Sequence, residues 1–346
     1  GDFSGKNGTL TYAINHLDFD RDGDLDLVVG RQQQRNGAFR NDGAGRFSRI
    51  DAGDFDDRAG KATDIAVFDA DGDGDLDLVV ANGDWPYPLT PYPGVSAEPT
   101  SRNALYLNNG SGVFQLVDAG DLDDTTQRST TVAAFDADGD GDIDLAIGNG
   151  PTYNGGGERN QFFLNDGHGR FVRTVNEPFT NFSNTTVIAA FDADNDGDQD
   201  LVLRSSQGSA SLTLLFNNGL GQLVQGASGD LWRSQPSFTE ALVPIDVDGD
   251  GDIDLAVDND QPSWGAPAQN SLYINDGSGR STRSIAGEFT SDSVHVVAMA
   301  ALDFDGDGDM DLATTNDYEN VPTPNILYLN DGTGVFSRAR TDAFGL

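Results

Sequence analysis

Cysteine is absent from this 346-residue chain, which excludes disulfides, thiolate metal sites and a cysteine nucleophile. A secreted chain of this size without disulfides needs another staple. Long apolar runs are also missing: nothing approaches the roughly 18 residues of a membrane-spanning helix. No leader-like stretch follows Gly1, a pattern that a mature or trimmed chain would share. Basic residues are scarce, 20 against 57 acidic ones, for a formal net charge of -37. Such a surface repels nucleic-acid phosphates and anionic membrane faces, and attracts cations. The three histidines, His16, His168 and His295, are scattered. No nucleophile elbow, phosphate loop or histidine-rich metal motif accompanies them.

What the chain has in abundance is aspartate and glycine, arranged as a repeat. At this length a repeat architecture or two domains are expected. One nine-residue block starts at Asp18, Asp69, Asp136, Asp192, Asp246 and Asp303, at intervals of 51, 67, 56, 54 and 57 residues. A second block, Asn-Asp/Asn-Gly-x-Gly, starts at Asn41, Asn108, Asn165, Asn217, Asn275 and Asn330. From each Asn block to the next Asp block the chain runs 28, 28, 27, 29 and 28 residues. The 34 residues left at the two ends come close to the same interval, the expectation for a closed ring.

Each repeat reads as four short strands. An apolar strand such as 63–68 precedes the Asp block. Leu76-Asp77-Leu78-Val79-Val80 follows it, apolar on both faces as a fully buried strand is. A third strand such as 104–107 leads into the Asn block, whose Asn-Gly and Asp-Gly steps supply the positive φ of a tight hairpin. A fourth follows, as in 113–117. Four antiparallel strands repeated six times, with no helical periodicity, predict an all-β, six-bladed β-propeller in a single domain, 1–346. The blades fall near 1–52, 53–119, 120–176, 177–229, 230–286 and 287–346.

With the Asp block numbered 1 to 9, carboxylates stand at positions 1, 3, 5, 7 and 9 and glycine at position 6 in all six copies. The candidate metal residues are Asp18, Asp20, Asp22, Asp24 and Asp26; Asp69, Asp71, Asp73, Asp75 and Asp77; Asp136, Asp138, Asp140, Asp142 and Asp144; Asp192, Asp194, Asp196, Asp198 and Asp200; Asp246, Asp248, Asp250, Asp252 and Asp254; and Asp303, Asp305, Asp307, Asp309 and Asp311. Alternating carboxylates on a tight loop converge on one point. Ca²⁺ takes six to eight oxygens in flexible geometry, whereas Mg²⁺ resists dehydration. Glycine permits the sharp turn, and the position 7 carbonyl offers a neutral ligand. An EF-hand is excluded, because position 12 is never Glu and the flanks are strand-like. The expectation is about six structural Ca²⁺, weak enough to call for extracellular calcium and hence a secreted or cell-surface setting.

The Asp-x-Asp-x-Asp-Gly-x-x-Asp loop between apolar strands resembles the FG-GAP repeat of integrin α-subunit propellers. It is still more similar to the VCBS-type repeats of bacterial and fungal surface proteins. The resemblance spans essentially the whole chain and implies calcium loops at positions 1, 3, 5, 7 and 9 of each copy. The Phe-Gly and Gly-Ala-Pro signatures are not intact, and integrin propellers have seven blades where six are counted here.

Loops joining strands two and three, and those passing between blades, vary in length and are expected on the face opposite the Asp loops. They gather Trp85, Tyr87, Tyr92, Tyr153, Arg159, Trp232, Trp264 and Tyr318, the candidate ligand-binding residues. Trp and Tyr stack on sugar rings or anchor protein contacts, and variable loops on a rigid frame carry recognition. The alternative is that they only pack their own loops. The expected function is therefore a calcium-stabilised adhesion or binding module for a glycan or a protein. The resemblance implies either: integrin-like propellers bind proteins through this face, and some fungal lectins bind sugars between blades. A polysaccharide lyase on the same scaffold is the alternative, with Tyr153 and Arg159, or His295, recruited to catalysis; no catalytic residue is assigned.

Overall fold

The computed structural model describes residues 10–57, 59–83, 102–123, 127–151, 157–205, 211–226, 229–231, 239, 241–258, 269–294, 296–316 and 324–339. They form six four-stranded antiparallel blades in a β-propeller arrangement, each blade built from four strands consecutive in the chain. The chain divides into two compact units, Gly1–Thr185 with Leu220–Gln222, and Thr186–Gly219 with Leu223–Leu346.

In the first unit, blade 1 is β1 (Leu10–Leu17), β2 (Asp26–Arg35), β3 (Gly37–Asn41) and β4 (Phe47–Arg49). Blade 2 is β5 (Ala59–Phe68), β6 (Asp77–Asn82), β7 (Ala104–Asn108) and β8 (Phe114–Val117). Blade 3 is β9 (Ser129–Phe135), β10 (Asp144–Asn149), β11 (Gln161–Asn165) and β12 (Phe171–Thr174). The ten-residue β2 outruns its blade and pairs Gln32 with Lys61 and Arg35 with Ala59, joining blades 1 and 2 into one eight-stranded sheet. In the second unit, blade 4 is β13 (Thr185–Phe191), β14 (Asp200–Ser205), β15 (Ser211–Asn217) and β16 (Leu223–Gln225). Blade 5 is β17 (Leu242–Ile245), β18 (Asp254–Val257), β19 (Ser271–Asn275) and β20 (Ser281–Ser284). Blade 6 is β21 (Val296–Leu302), β22 (Asp311–Asn316), β23 (Ile326–Leu329) and β24 (Ser337–Arg338).

The core is a series of layers between blades. Side chains alternate across a strand, so each second strand feeds two layers. Leu78 and Val80 of β6 pack with Leu17, Phe19, Phe55 and Phe114. Val79 and Ala81 of the same strand pack with Leu122, Leu145, Phe163 and Phe171. This is the physical origin of the continuous apolar run. Phe19 meets Phe114 edge-on at 6.1 Å, and Phe68 meets Phe171 at 6.4 Å. The connectors after β4, β8, β16 and β20 add a repeating element. Phe55, Leu122, Leu231 and Phe289 bury their side chains in the layers. The preceding acids, Asp54, Asp121, Asp230 and Glu288, accept backbone N–H groups of Leu116, Arg173, Arg283 and Arg338 on the fourth strand of the following blade. Inner strands meet at Thr63, whose single hydroxyl proton is shared between Ala81 O of its own blade at 3.0 Å and Ser129 O of blade 3 at 2.9 Å. No helix among the described residues is long and apolar enough to cross a membrane.

Candidate metal loops and ligand loops

Each Asp block forms the connection from first to second strand, with position 9 as the opening residue of the second strand. The loop curls around position 1. In five blades its Oδ2 accepts the position 6 N–H, from Gly23, Gly74, Gly141, Gly197 and Gly251, at 2.9–3.2 Å. The position 6 glycines sit at φ of 87–98°, where an L side chain is strained. Position 4 is left-handed as well, and in two blades it is not glycine: Arg21 at φ 60° and Asn195 at 59°. Both reach the next blade's position 7 carboxylate, Arg21 Nη2 lying 2.6 Å from Asp75 Oδ1 and Asn195 Nδ2 donating to Asp252.

Carboxylate oxygens converge within 4.8 Å of one another in Asp18/Asp20/Asp22, Asp69/Asp71/Asp77, Asp136/Asp138/Asp144, Asp192/Asp194/Asp200 and Asp246/Asp248/Asp250. Positions 1 and 3 are common to these five groups; position 9 completes three of them and position 5 the other two. Position 3 carries the mark of a missing partner: Oδ1 of Asp20, Asp138, Asp194 and Asp248 is buried without a hydrogen bond. An orphaned acceptor pointing into a carboxylate cluster is the environment that a hard cation relieves. Burial first, and the position 5 carboxylate second, push Asp71, Asp138, Asp194 and Asp248 above the usual carboxylate range. These residues could hold a metal ion.

Position 7 points elsewhere. A Cβ on Gly43, Gly167, Gly219, Gly277 or Gly332 would lie 2.4–2.6 Å from the carboxylate of Asp24, Asp142, Asp198, Asp252 or Asp309. These side chains pack against the Asn-block turn, which leaves the backbone carbonyl as position 7's contribution to the loop. Position 9 is buried and doubly engaged. Asp77 accepts Ala70 N at 2.9 Å and Asn108 N at 2.7 Å, and Asp26, Asp144, Asp200, Asp254 and Asp311 repeat both bonds. Burial pushes Asp77, Asp144, Asp200 and Asp254 up to about 7, against the pull of these two donors.

Two recurring asparagines have roles that the sequence reading missed. The first opens the Asn block. It is more than a turn residue: the amides of Asn108, Asn165, Asn275 and Asn330 donate to the position 2 carbonyls of the preceding blade. Its occurrence in all six copies, where a turn alone would accept other residues, was the available signal. The second precedes the third strand. Asn36, Asn103, Asn160 and Asn325 accept N–H groups of Arg31, Asn82, Asn149 and Asn316. In return Asn82, Asn149 and Asn316 donate to the carbonyls of Arg102, Arg159 and Pro324. In blades 2, 3 and 6 the strand two-to-three loop thus rises from a pinched base, although the clamped residues are 21, 11 and 9 apart in sequence.

Of the candidate ligand residues, Arg159 is exposed beside this clamp, its guanidinium donating to Asn181 at 3.2 Å. Trp85, Tyr87, Tyr92, Tyr153, Trp232, Trp264 and Tyr318 lie outside the described residues, as does His295. His16 is exposed on β1, and His168 is exposed in the blade 3 turn. Two arginines serve structure: Arg31, on β2, is buried over the Phe39 ring, and Arg128 donates to Pro151 O.

Against known proteins, a family model described as FG-GAP-like repeat matches residues 18–80, 95–147, 152–203, 193–257 and 263–314, and the FG-GAP repeat model matches 296–334. No curated protein matches by sequence. Among solved structures, a lectin of Agrocybe aegerita, described as recognising non-reducing terminal N-acetylglucosamine, shares the fold at TM-score 0.63 and 18% identity. The match covers 95% of this chain and 79% of that one. BBS1N, solved in complex with ARL6DN, matches at TM-score 0.52 and 13% identity, over 95% of this chain and 81% of that one.

Proposed function

The chain belongs to the FG-GAP repeat family, and from that premise we propose that it is a calcium-stabilised extracellular binding module whose ligand is a glycan. The single observation that carries the reading is the division of labour between connections. The first-to-second and third-to-fourth connections are tied to each other through position 9. The second-to-third connections of blades 2, 3 and 6 share one clamped base while differing in length, which leaves recognition to such connections and to their aromatic residues. The lectin sharing this fold adds support to a binding role.

Positions 1, 3 and 5, with position 9 and the position 7 carbonyl, would hold Ca²⁺ in each blade. When bound, the ion supplies positive charge to a carboxylate cluster that otherwise repels itself. Six such ions would move the formal charge from -37 to -25. Sites of the extracellular type bind at about 10⁻⁴–10⁻³ M, roughly 1 kcal/mol each at millimolar calcium, so the ions act as staples where calcium is plentiful.

A glycan array in millimolar Ca²⁺, run beside Trp85→Ala and Trp264→Ala, tests the reading. Selective binding, lost in a variant that retains its melting transition, is the expected result. A blank array would move the reading to a protein ligand through the same loops. Unsaturated uronide absorbance released from an acidic polysaccharide would replace it with a lyase.

A further inference from the structure

In blades 1, 2, 4 and 5 the position 2 residue of the Asp loop, flanked by two candidate ligands, is engaged on both sides of its backbone. In blade 1, Phe19 N donates to Asp26 and Phe19 O accepts from Asn108 of blade 2 at 3.0 Å. Asn108 N donates to Asp77 Oδ1, and Asp77 Oδ2 takes Ala70 N. Ala70 O accepts from Asn165 of blade 3, whose N–H donates to Asp144. A continuous line of hydrogen bonds therefore runs from the blade 1 loop through the blade 2 loop to the blade 3 loop. The second unit repeats it. Ala193 O accepts from Asn275, Asn275 N donates to Asp254, Val247 O accepts from Asn330, and Asn330 N donates to Asp311. The relaying residues are nearly sealed from solvent: Phe19, Ala70, Ala193 and Val247 are 0–1% exposed, and the four asparagines 5–7%.

Resting on the reading that the loops take calcium, we propose that the sites within each three-blade unit fill cooperatively, with the buried amides of Asn108, Asn165, Asn275 and Asn330 as the couplers. Fixing positions 1 and 3 around an ion fixes the peptide of position 2 between them. That orients its carbonyl toward the next blade's asparagine. The docked asparagine then holds the position 9 carboxylate of its own blade, a member of the next cluster in blades 2 and 3. Both sites favour the same docked arrangement, so each raises the other's affinity by the same factor. Burial keeps water from substituting for any link. The asparagine side chains are not ligands in this scheme, which separates coupling from coordination.

The experiment is a Ca²⁺ titration of the full chain by calorimetry and equilibrium dialysis, in 0.3 M KCl to screen repulsion between the loops. It is run on the parent, Asn165→Ala, Asp71→Asn and the double variant. The parent is expected to bind with a Hill coefficient above 1. Asn165→Ala is expected to keep the stoichiometry but titrate less steeply. Asp71→Asn should lose one ion and weaken neighbouring sites about five-fold, within the ordinary range of coupling between sites. In the double variant the Asp71→Asn change should no longer weaken blade 3. Should Asn165→Ala fail to fold, Asp71→Asn alone decides through the affinity of the ions that remain. Ion uptake with unchanged steepness in Asn165→Ala, or loss of one ion with the rest unaffected in Asp71→Asn, overturns the coupling and leaves the calcium reading intact. No uptake by the parent at 10 mM overturns both.

Discussion

Asp64 shows how a single carboxylate can work against the fold it helps to join. It accepts Ile65 N and, across the blade 2–3 layer, Val132 N, both at 2.9 Å. Burial nevertheless pushes its carboxyl up to about 6 from an ordinary value of 3.8. A folded-state value above the unfolded one means that the folded chain holds the proton more tightly. Stability from this group is therefore present below about 4, declines as pH rises toward 6, and is absent above it. Asp64→Asn should flatten this fall. Relative to the parent it should gain of the order of 2 kcal/mol between pH 4 and 7. Chemical denaturation of both proteins across that window reads the difference, with carboxylates common to both cancelling. A parallel pair of curves would refute the assignment. Arg21 offers the opposite balance. Its left-handed backbone costs about 1 kcal/mol, and its half-exposed ion pair with Asp75 returns up to about 1. Arg21→Gly should change stability by less than about 1 kcal/mol in urea denaturation.

At the scale of elements, the strands were legible because their pattern is extreme. Leu78-Val79-Val80 has no polar face, and the structure spends its two faces on different layers. The Asp-loop positions were legible too, since carboxylates recur at alternate residues. What escaped was every contact made across a blade boundary. Asn108 reads locally as a turn residue; its buried amide finds Phe19 O, 89 residues earlier. The connectors escaped for the same reason: Gly120-Asp121-Leu122 looks like polar punctuation, yet Leu122 is fully buried between blades 2 and 3. Leu122→Ala should cost about 2–4 kcal/mol through lost burial and the remaining cavity. Asp121→Ala should cost only about 1, through one lost acceptor for Arg173 N. Equal costs in urea denaturation would mean that the connector does not pack as described.

For the whole molecule, charge governs the response to conditions. A formal charge of -37 is self-repelling, and the acids are concentrated in loops where several carboxylates stand together. Chelation by EDTA should lower the melting temperature, and millimolar CaCl₂ should restore it. Excess NaCl should recover only part, because screening weakens repulsion without supplying ligands to orphaned oxygens. A melting temperature indifferent to EDTA would remove calcium from the account of stability.

The connector acids bear on how such a protein survives crowding. Every blade ends in an outer strand, and an outer strand with free N–H groups is a template on which a foreign strand can grow. Asp54, Asp121, Asp230 and Glu288 occupy one such group on each of four outer strands, and they do so with a negative charge. A neighbouring molecule approaching edge to edge meets an N–H already taken and a charge like its own. The acids that fasten one blade to the next thus also oppose strand addition at these outer edges.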